Sequence, residues 1–168
     1  MAQGTGKPYE EKPEGYLAAF WSHMVIILAF PHFFFQTAFQ AWGLWVPAVV
    51  GYYNYFLAAV PLAPLITYLL YSAQRRKVEK EREAAWSRFQ TLQAVYYQLT
   101  VLAIGFVIAP QWMLGPVPIG TVLYALGLAM IVYGVIGALL LAAGKFDFSY
   151  PVIGRLARRI VEKRYEKR

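Results

Sequence analysis

Two long stretches of this chain carry no charged side chain: residues 15–74 and 89–144 lack Asp, Glu, Lys and Arg. Each is roughly three times the ~20 apolar residues that take a helix across a bilayer core. One span cannot use up such a stretch, whereas two spans and a short turn fill it. The pattern therefore predicts spans at about 16–40, 53–73, 89–108 and 119–143. Three polar segments flank them: an arm over 1–15, a loop over 74–88 and a tail over 145–168. The expected fold class is all-α, a polytopic membrane bundle of four transmembrane helices (16–144) followed by a C-terminal basic amphipathic helix.

Prolines punctuate the spans. Pro31 falls inside the first, where neighbouring helices can tolerate a kink. The uncharged segment 41–52, with Trp42, Trp45, Pro47 and Gly51, reads as the first outer turn, and its aromatic residues suit the headgroup level. Pro61 and Pro64 lie inside the second span and are expected to bend it. Pro110, Pro116 and Pro118, with Trp112 as an interface anchor, mark the second outer turn.

The tail changes the pattern. Val152, Ile153, Leu156 and Ile160 recur at helical spacing, while Arg155, Arg158, Arg159, Lys163 and Arg164 fill other positions. This is the pattern of a basic amphipathic helix lying on a membrane surface, with the five basic residues on lipid. The alternative is a tail helix packed on a partner protein.

Charge then orients the spans. The chain is 59% hydrophobic and only 15% charged, yet its net charge is +7. All 16 Lys and Arg residues fall in the arm, the charged loop and the tail, as two, six and eight. Four spans put those segments on one side, and the positive-inside rule makes that side cytoplasmic. The expected location is the plasma membrane of a prokaryote, multi-pass, with both termini inside. The basic excess is a topology signal rather than a nucleic-acid footprint. Its expected partner is a bilayer with anionic headgroups.

Little chemistry is left inside the spans. There is no cysteine, which removes disulfides, thiolate metal sites and Cys nucleophiles. Coupled carriers, pumps and aspartyl intramembrane enzymes need carboxylates or cations at membrane depth, and both apolar stretches have none. Phosphate loops, zincin helices and serine elbows are absent too. The chain is expected not to be an enzyme. His23 and His32 lie nine residues apart, which on a uniform helix puts them half a turn out of phase. They are candidate lone axial ligands for a haem or chlorophyll, although no cofactor is required; the alternative is a buried histidine bonded to a neighbouring helix. Gln90 and Gln93 share one face of the third span and suit interhelical hydrogen bonding. Gly120, Gly127 and Gly134 form a nearly straight stripe in the fourth span, joined by Ala138. Such a groove suits close approach of another helix, internal or from a partner subunit.

Three landmarks carry a resemblance: SHM (Ser22 to Met24), RFQTLQA (Arg88 to Ala94) and AAGKFDFSYPVIGRL (Ala142 to Leu156). Together they resemble the small four-span proteins grouped with the Tic-type component of the chloroplast inner-envelope import translocon, and their bacterial relatives of unknown function. The matching positions are His23; Arg88, Phe89, Gln93 and Ala94; and Gly144, Tyr150 and Pro151. The resemblance implies a four-helix membrane protein and, for the plastid members, a part in a preprotein channel.

Three functions follow as expectations, in this order. The first is a non-enzymatic structural or accessory subunit of a membrane complex, with partner subunits or further copies of itself. The second is a component of a translocation or channel assembly. The third is a haem- or chlorophyll-binding subunit.

Overall fold

Prolines decide where the helices of this chain change their winding. The structure, a computed structural model, describes residues 15–42, 60–73, 81–111, 119–145 and 147–166, apart from the side chains at 39–42, 70–73, 81–84, 111 and 163–166. The predicted polar arm, both outer turns beyond residues 42 and 111, the first part of the charged loop and the side chains of Lys163 and Arg164 lie outside that description. All described elements are helical or turns.

The first rod begins behind Gly15. It runs through α1 (Tyr16–Met24), a 3-10 segment (Val25–Ala29) and α2 (Phe30–Trp42). Pro31 has no amide proton for the Ile27 carbonyl four residues back. The Phe30 N–H donates to that carbonyl instead, three residues back. A 3-10 helix turns about 120° per residue rather than about 100°, so five residues add about 100° of rotation. That rotation cancels much of the half-turn expected between His23 and His32. Both are buried, 1% and 3% exposed.

The second predicted span is described only from residue 60. There α3 (Leu62–Ala73) starts directly after Pro61, with Pro64 in its first turn. The first amides of a helix have no carbonyl to reach. Both prolines thus sit where this helix starts, and the bend expected in the second span lies with residues 53–59, outside the described residues.

The third rod starts within the expected charged loop, as α4 (Glu81–Ala103). It widens into a π-turn (Ile104–Ile108) and ends at Ala109–Gln111. Pro110 again removes a donor, and the Ala109 N–H reaches back five residues to Ile104. The fourth rod, α5 (Ile119–Ala142), ends in a Schellman motif: Lys145 N–H donates to Leu140 at 2.9 Å and Gly144 N–H to Leu141 at 3.0 Å. The motif needs a left-handed residue, and Gly144 supplies it at φ 82°. Tyr16–Ala38, Ala85–Ile108 and Ile119–Ala142 are each long and apolar enough to cross a membrane, which fits membrane association.

α5 packs along the first rod, and α4 packs against α1 and α3. Glycines set how closely they meet. The Phe33 ring occupies the space that a Cβ at Gly105 or Gly127 would take. A Cβ at Gly134 would lie 3.0 Å from Ile26 Cγ2 and 3.2 Å from the Tyr97 ring. Gly120 and Ala138 are buried in the same helix. On the other side of α5, Leu126, Val132, Ile136 and Leu139 are exposed.

The tail helix α6 (Ile153–Glu166) lies on α4. Of the apolar stripe expected at Val152, Ile153, Leu156 and Ile160, only Ile153 packs on the core, and a different face docks. Ala157 and Val161 are buried with Leu92, against Ala85, Phe89, Tyr96 and Tyr68. Val152, Leu156 and Ile160 are exposed instead. Small Gly154 and Ala157 permit the close approach, and a Cβ on Gly154 would run into Ser149 Oγ and lie 3.2 Å from Gln93 Oε1.

Candidate functional site

After Gly144 the chain turns back on the bundle. The Phe148 ring fills the space beside Gly137, and the Tyr150 hydroxyl lies 3.7 Å from a Cβ position at Gly134. Gly134 is eight residues before the end of α5, or about 12 Å along the helix. The side chains of Phe148 and Tyr150 therefore reach back about one to two turns along α5, carried by a non-helical backbone. Buried peptide groups outside a helix need other partners in the protein.

Gln93 supplies them. Its Nε2 donates to the Phe148 carbonyl at 3.3 Å, and its Oε1 accepts from the Tyr150 N–H at 3.3 Å. The C=O of one residue and the N–H two further on lie on the same edge of an extended strand. One side-chain amide thus pairs with the segment as a neighbouring strand would. Gln90 Nε2 donates to the same carbonyl at 3.1 Å.

The fixed roles of these backbone groups orient everything else. With its Nε2 on Phe148, Gln90 presents Oε1 to the Gln93 Nε2 and to His23 Nε2, the latter at 3.3 Å. An amide oxygen only accepts, so His23 Nε2 carries the proton. In the neutral ring His23 Nδ1 is then the acceptor, and the Tyr150 hydroxyl donates to it at 2.9 Å. Ser22, Gln90, Gln93 and Gln98 are buried around this network, and Gln98 Nε2 donates to the Ser22 carbonyl at 2.6 Å.

Aromatic rings seal it. Tyr97 stacks on Tyr150 and gives its hydroxyl to the Met130 carbonyl of α5 at 2.6 Å. Phe148 meets Tyr150 edge-on at 4.9 Å, and Tyr133 does so at 5.7 Å. Burial, and then the nearby Tyr97 and Tyr133 hydroxyls, push the Tyr150 phenol well above its usual range.

Comparison with family models, curated proteins and solved structures finds no match for this chain. The reading of the site rests on its geometry.

The structure brings His23, Gln90 and Gln93 into one network. It places His32 elsewhere, stacked on Phe106 at 4.3 Å and edge-on to Phe33 and Tyr124. The two histidines share no site. At His23 both ring nitrogens are engaged, so an axial bond there would have to displace Tyr150 or Gln90. Among the described residues no group of three or more His, Cys, Asp and Glu could hold a metal. Arg155, Arg158 and Arg159 lie on the exposed side of α6. Sequence reasoning named Tyr150 only as a landmark and passed over Tyr97, Gln98, Gly137 and Gly154. Gln98 carried the one usable signal: like Gln90 and Gln93, it is an amide inside a charge-free stretch.

Proposed function

We propose that this chain is a four-span, non-enzymatic structural or accessory subunit of a membrane complex. The observation that carries this reading is one buried polar cluster whose hydrogen bonds are spent on one another and on the chain's own backbone. His23, Gln90, Gln93 and Tyr150 bind one another and the backbone of residues 148–150, so together they fasten the tail to the bundle. The lack of carboxylates and cations in both apolar stretches supports the same reading. Beside the three long helices, the remaining span is the second, at about 53–73, of which α3 is the described part. The arm, the charged loop and the tail face the cytoplasm of a prokaryotic cell, on the strength of the Lys and Arg distribution. Gentle detergent extraction followed by native gels tests the subunit reading. The expected result is migration in an assembly larger than one chain, and migration as a lone monomer under all mild conditions overturns it.

One observation favours a second reading, a component of a preprotein channel. The three motifs that carry the Tic-type resemblance are distant in sequence, and each supplies a member of the network: His23 from the first, Gln90 and Gln93 from the second, and Phe148 and Tyr150 from the third. Such a channel requires several copies, because one bundle without internal charge makes a poor aqueous pore. Reconstituted liposomes that show neither conductance nor peptide passage overturn this reading.

A further inference from the structure

Consecutive residues on a helix are 100° apart, which divides α6 into three sectors. Ala157 and Val161 face α4 and are buried. Leu156 and Ile160, one step back from each, share the next sector and are 49% and 36% exposed. Arg155 and Arg159, one step further back, share the third. Val152, 68% exposed, extends the apolar sector before the helix begins. Arg158 closes the circle toward the protein, its guanidinium 5.4 Å from the centre of the Phe89 ring. Among the described side chains of α6, Glu162 is the one exposed acid beside these arginines, so Arg155, Arg159 and Glu162 together stay net positive. The apolar half of α6 is therefore wider than the protein surface it covers. Its uncovered part continues the buried stripe sideways, beside the start of the Ala85–Ile108 rod.

We infer that this uncovered sector rests on an anionic bilayer. Val152, Leu156 and Ile160 enter the boundary of the acyl chains, and Arg155 and Arg159 lie on negatively charged headgroups. A second copy or a partner protein would leave the adjoining arginines unexplained, whereas an anionic lipid surface matches both sectors at once. The inference rests on the membrane-spanning reading proposed above.

The chain has no cysteine, so single-cysteine variants of the full-length protein can be spin-labelled without background. The probes are Leu156→Cys, Ile160→Cys, Arg155→Cys and, in the middle of α5, Val132→Cys. Each is reconstituted into nanodiscs of phosphatidylcholine alone or with phosphatidylglycerol. In the anionic discs, labels at 156 and 160 are expected to meet oxygen from the lipid phase, and the label at 155 to meet a water-soluble relaxer. Phosphatidylglycerol should raise the immersed fraction relative to the free fraction, by about fivefold for each arginine involved. Arg159→Gln should remove one such factor from the label at 156. Water exposure at 156 and 160 in both lipids, with lipid exposure at 132, overturns this inference alone. Water exposure at 132 overturns the spanning reading and the inference with it. Cross-linking of Leu156→Cys to a second copy, or protection of 156 and 160 by a co-purifying protein, assigns the face to that occupant and overturns the lipid assignment.

Discussion

The Tyr150 ring lies flat on the Tyr97 ring, with centroids 3.8 Å apart and planes 4° from parallel. Tyr97 belongs to α4, and Tyr150 follows α5 by eight residues. The stack therefore joins the returning tail to the interior of the bundle, while the Tyr97 hydroxyl ties the same ring to Met130. Offset or edge-on aromatic pairs contribute about 0.5–1.5 kcal/mol beyond burial. The larger part of the hold on Tyr150 comes from its buried area and its hydrogen bonds.

Tyr150→Phe separates these contributions. It keeps the ring and deletes the O–H that donates to His23 Nδ1. A buried acceptor left without its donor costs about 1–3 kcal/mol. Tyr150→Ala also loses the ring and should cost about 3–5 kcal/mol, the range for large aromatic truncations. Thermal unfolding in detergent should rank wild type above Tyr150→Phe and Tyr150→Phe above Tyr150→Ala. Equal midpoints for wild type and Tyr150→Phe would show that the hydrogen bond holds nothing.

Gln93→Leu removes the partner of two peptide groups while keeping similar bulk. The buried Tyr150 N–H then loses its acceptor at about 1–3 kcal/mol, while the Phe148 carbonyl keeps its bond from Gln90. Tail opening should rise by at least about fivefold, and proteolysis that tracks the open population should rise with it. Limited trypsin digestion at Arg155, Arg158 and Arg159 reads this directly. An unchanged cleavage rate would place the grip on the tail elsewhere.

Alkaline pH should loosen the same contact. The unfolded Tyr150 phenol titrates near 10, and in the folded protein burial raises it well above that. Stability is then whole below about pH 10 and falls as pH rises toward the folded value, because only the unfolded chain can release the proton. Tail proteolysis followed from pH 9 upward should accelerate in wild type and stay flatter in Tyr150→Phe. Identical profiles would assign the pH dependence to other tyrosines.

Gly127→Ala pushes a methyl group into the Phe33 ring. Overpacking of this kind costs about 1–3 kcal/mol. Phe33→Leu alone should also destabilise, through lost volume. Together the two should destabilise less than the sum of the single changes, with a coupling of about 0.5–3 kcal/mol. Simple additivity in a double-mutant cycle would mean that the ring is not seated on this glycine.

Much of this arrangement was legible from residue type and spacing. The charge-free stretches located the rods, since a bilayer core excludes charge wherever the chain passes. Gln90 and Gln93 stood out as amides on one face, and the α5 glycines as a stripe. The partners were not legible. Gln93 answers to peptide groups at 148–150, and no side-chain pattern announces where a backbone will need bonds. Tyr150 looked like an ordinary residue of a polar tail. The true docking stripe of α6 was hidden because Gly154 and Ala157 are small, and bulkier Leu156 and Ile160 drew the eye to the exposed side. His23 and His32 were set on opposite faces by assuming uniform winding, which Pro31 changes.

The network also sets an order of assembly. His23 emerges early during synthesis, Gln90 and Gln93 midway, and Phe148 and Tyr150 near the finish. On the four-span reading, every span is made before the tail groups that bind these three side chains exist. A nascent chain stalled before Tyr150 would present an imidazole and two amides to whatever chaperone or membrane protease surveys unfinished products. On that reading, a chain truncated by a frameshift or stop codon just beyond α5 is expected to be cleared faster than the full chain although every span is intact, which pulse-chase labelling of the two checks.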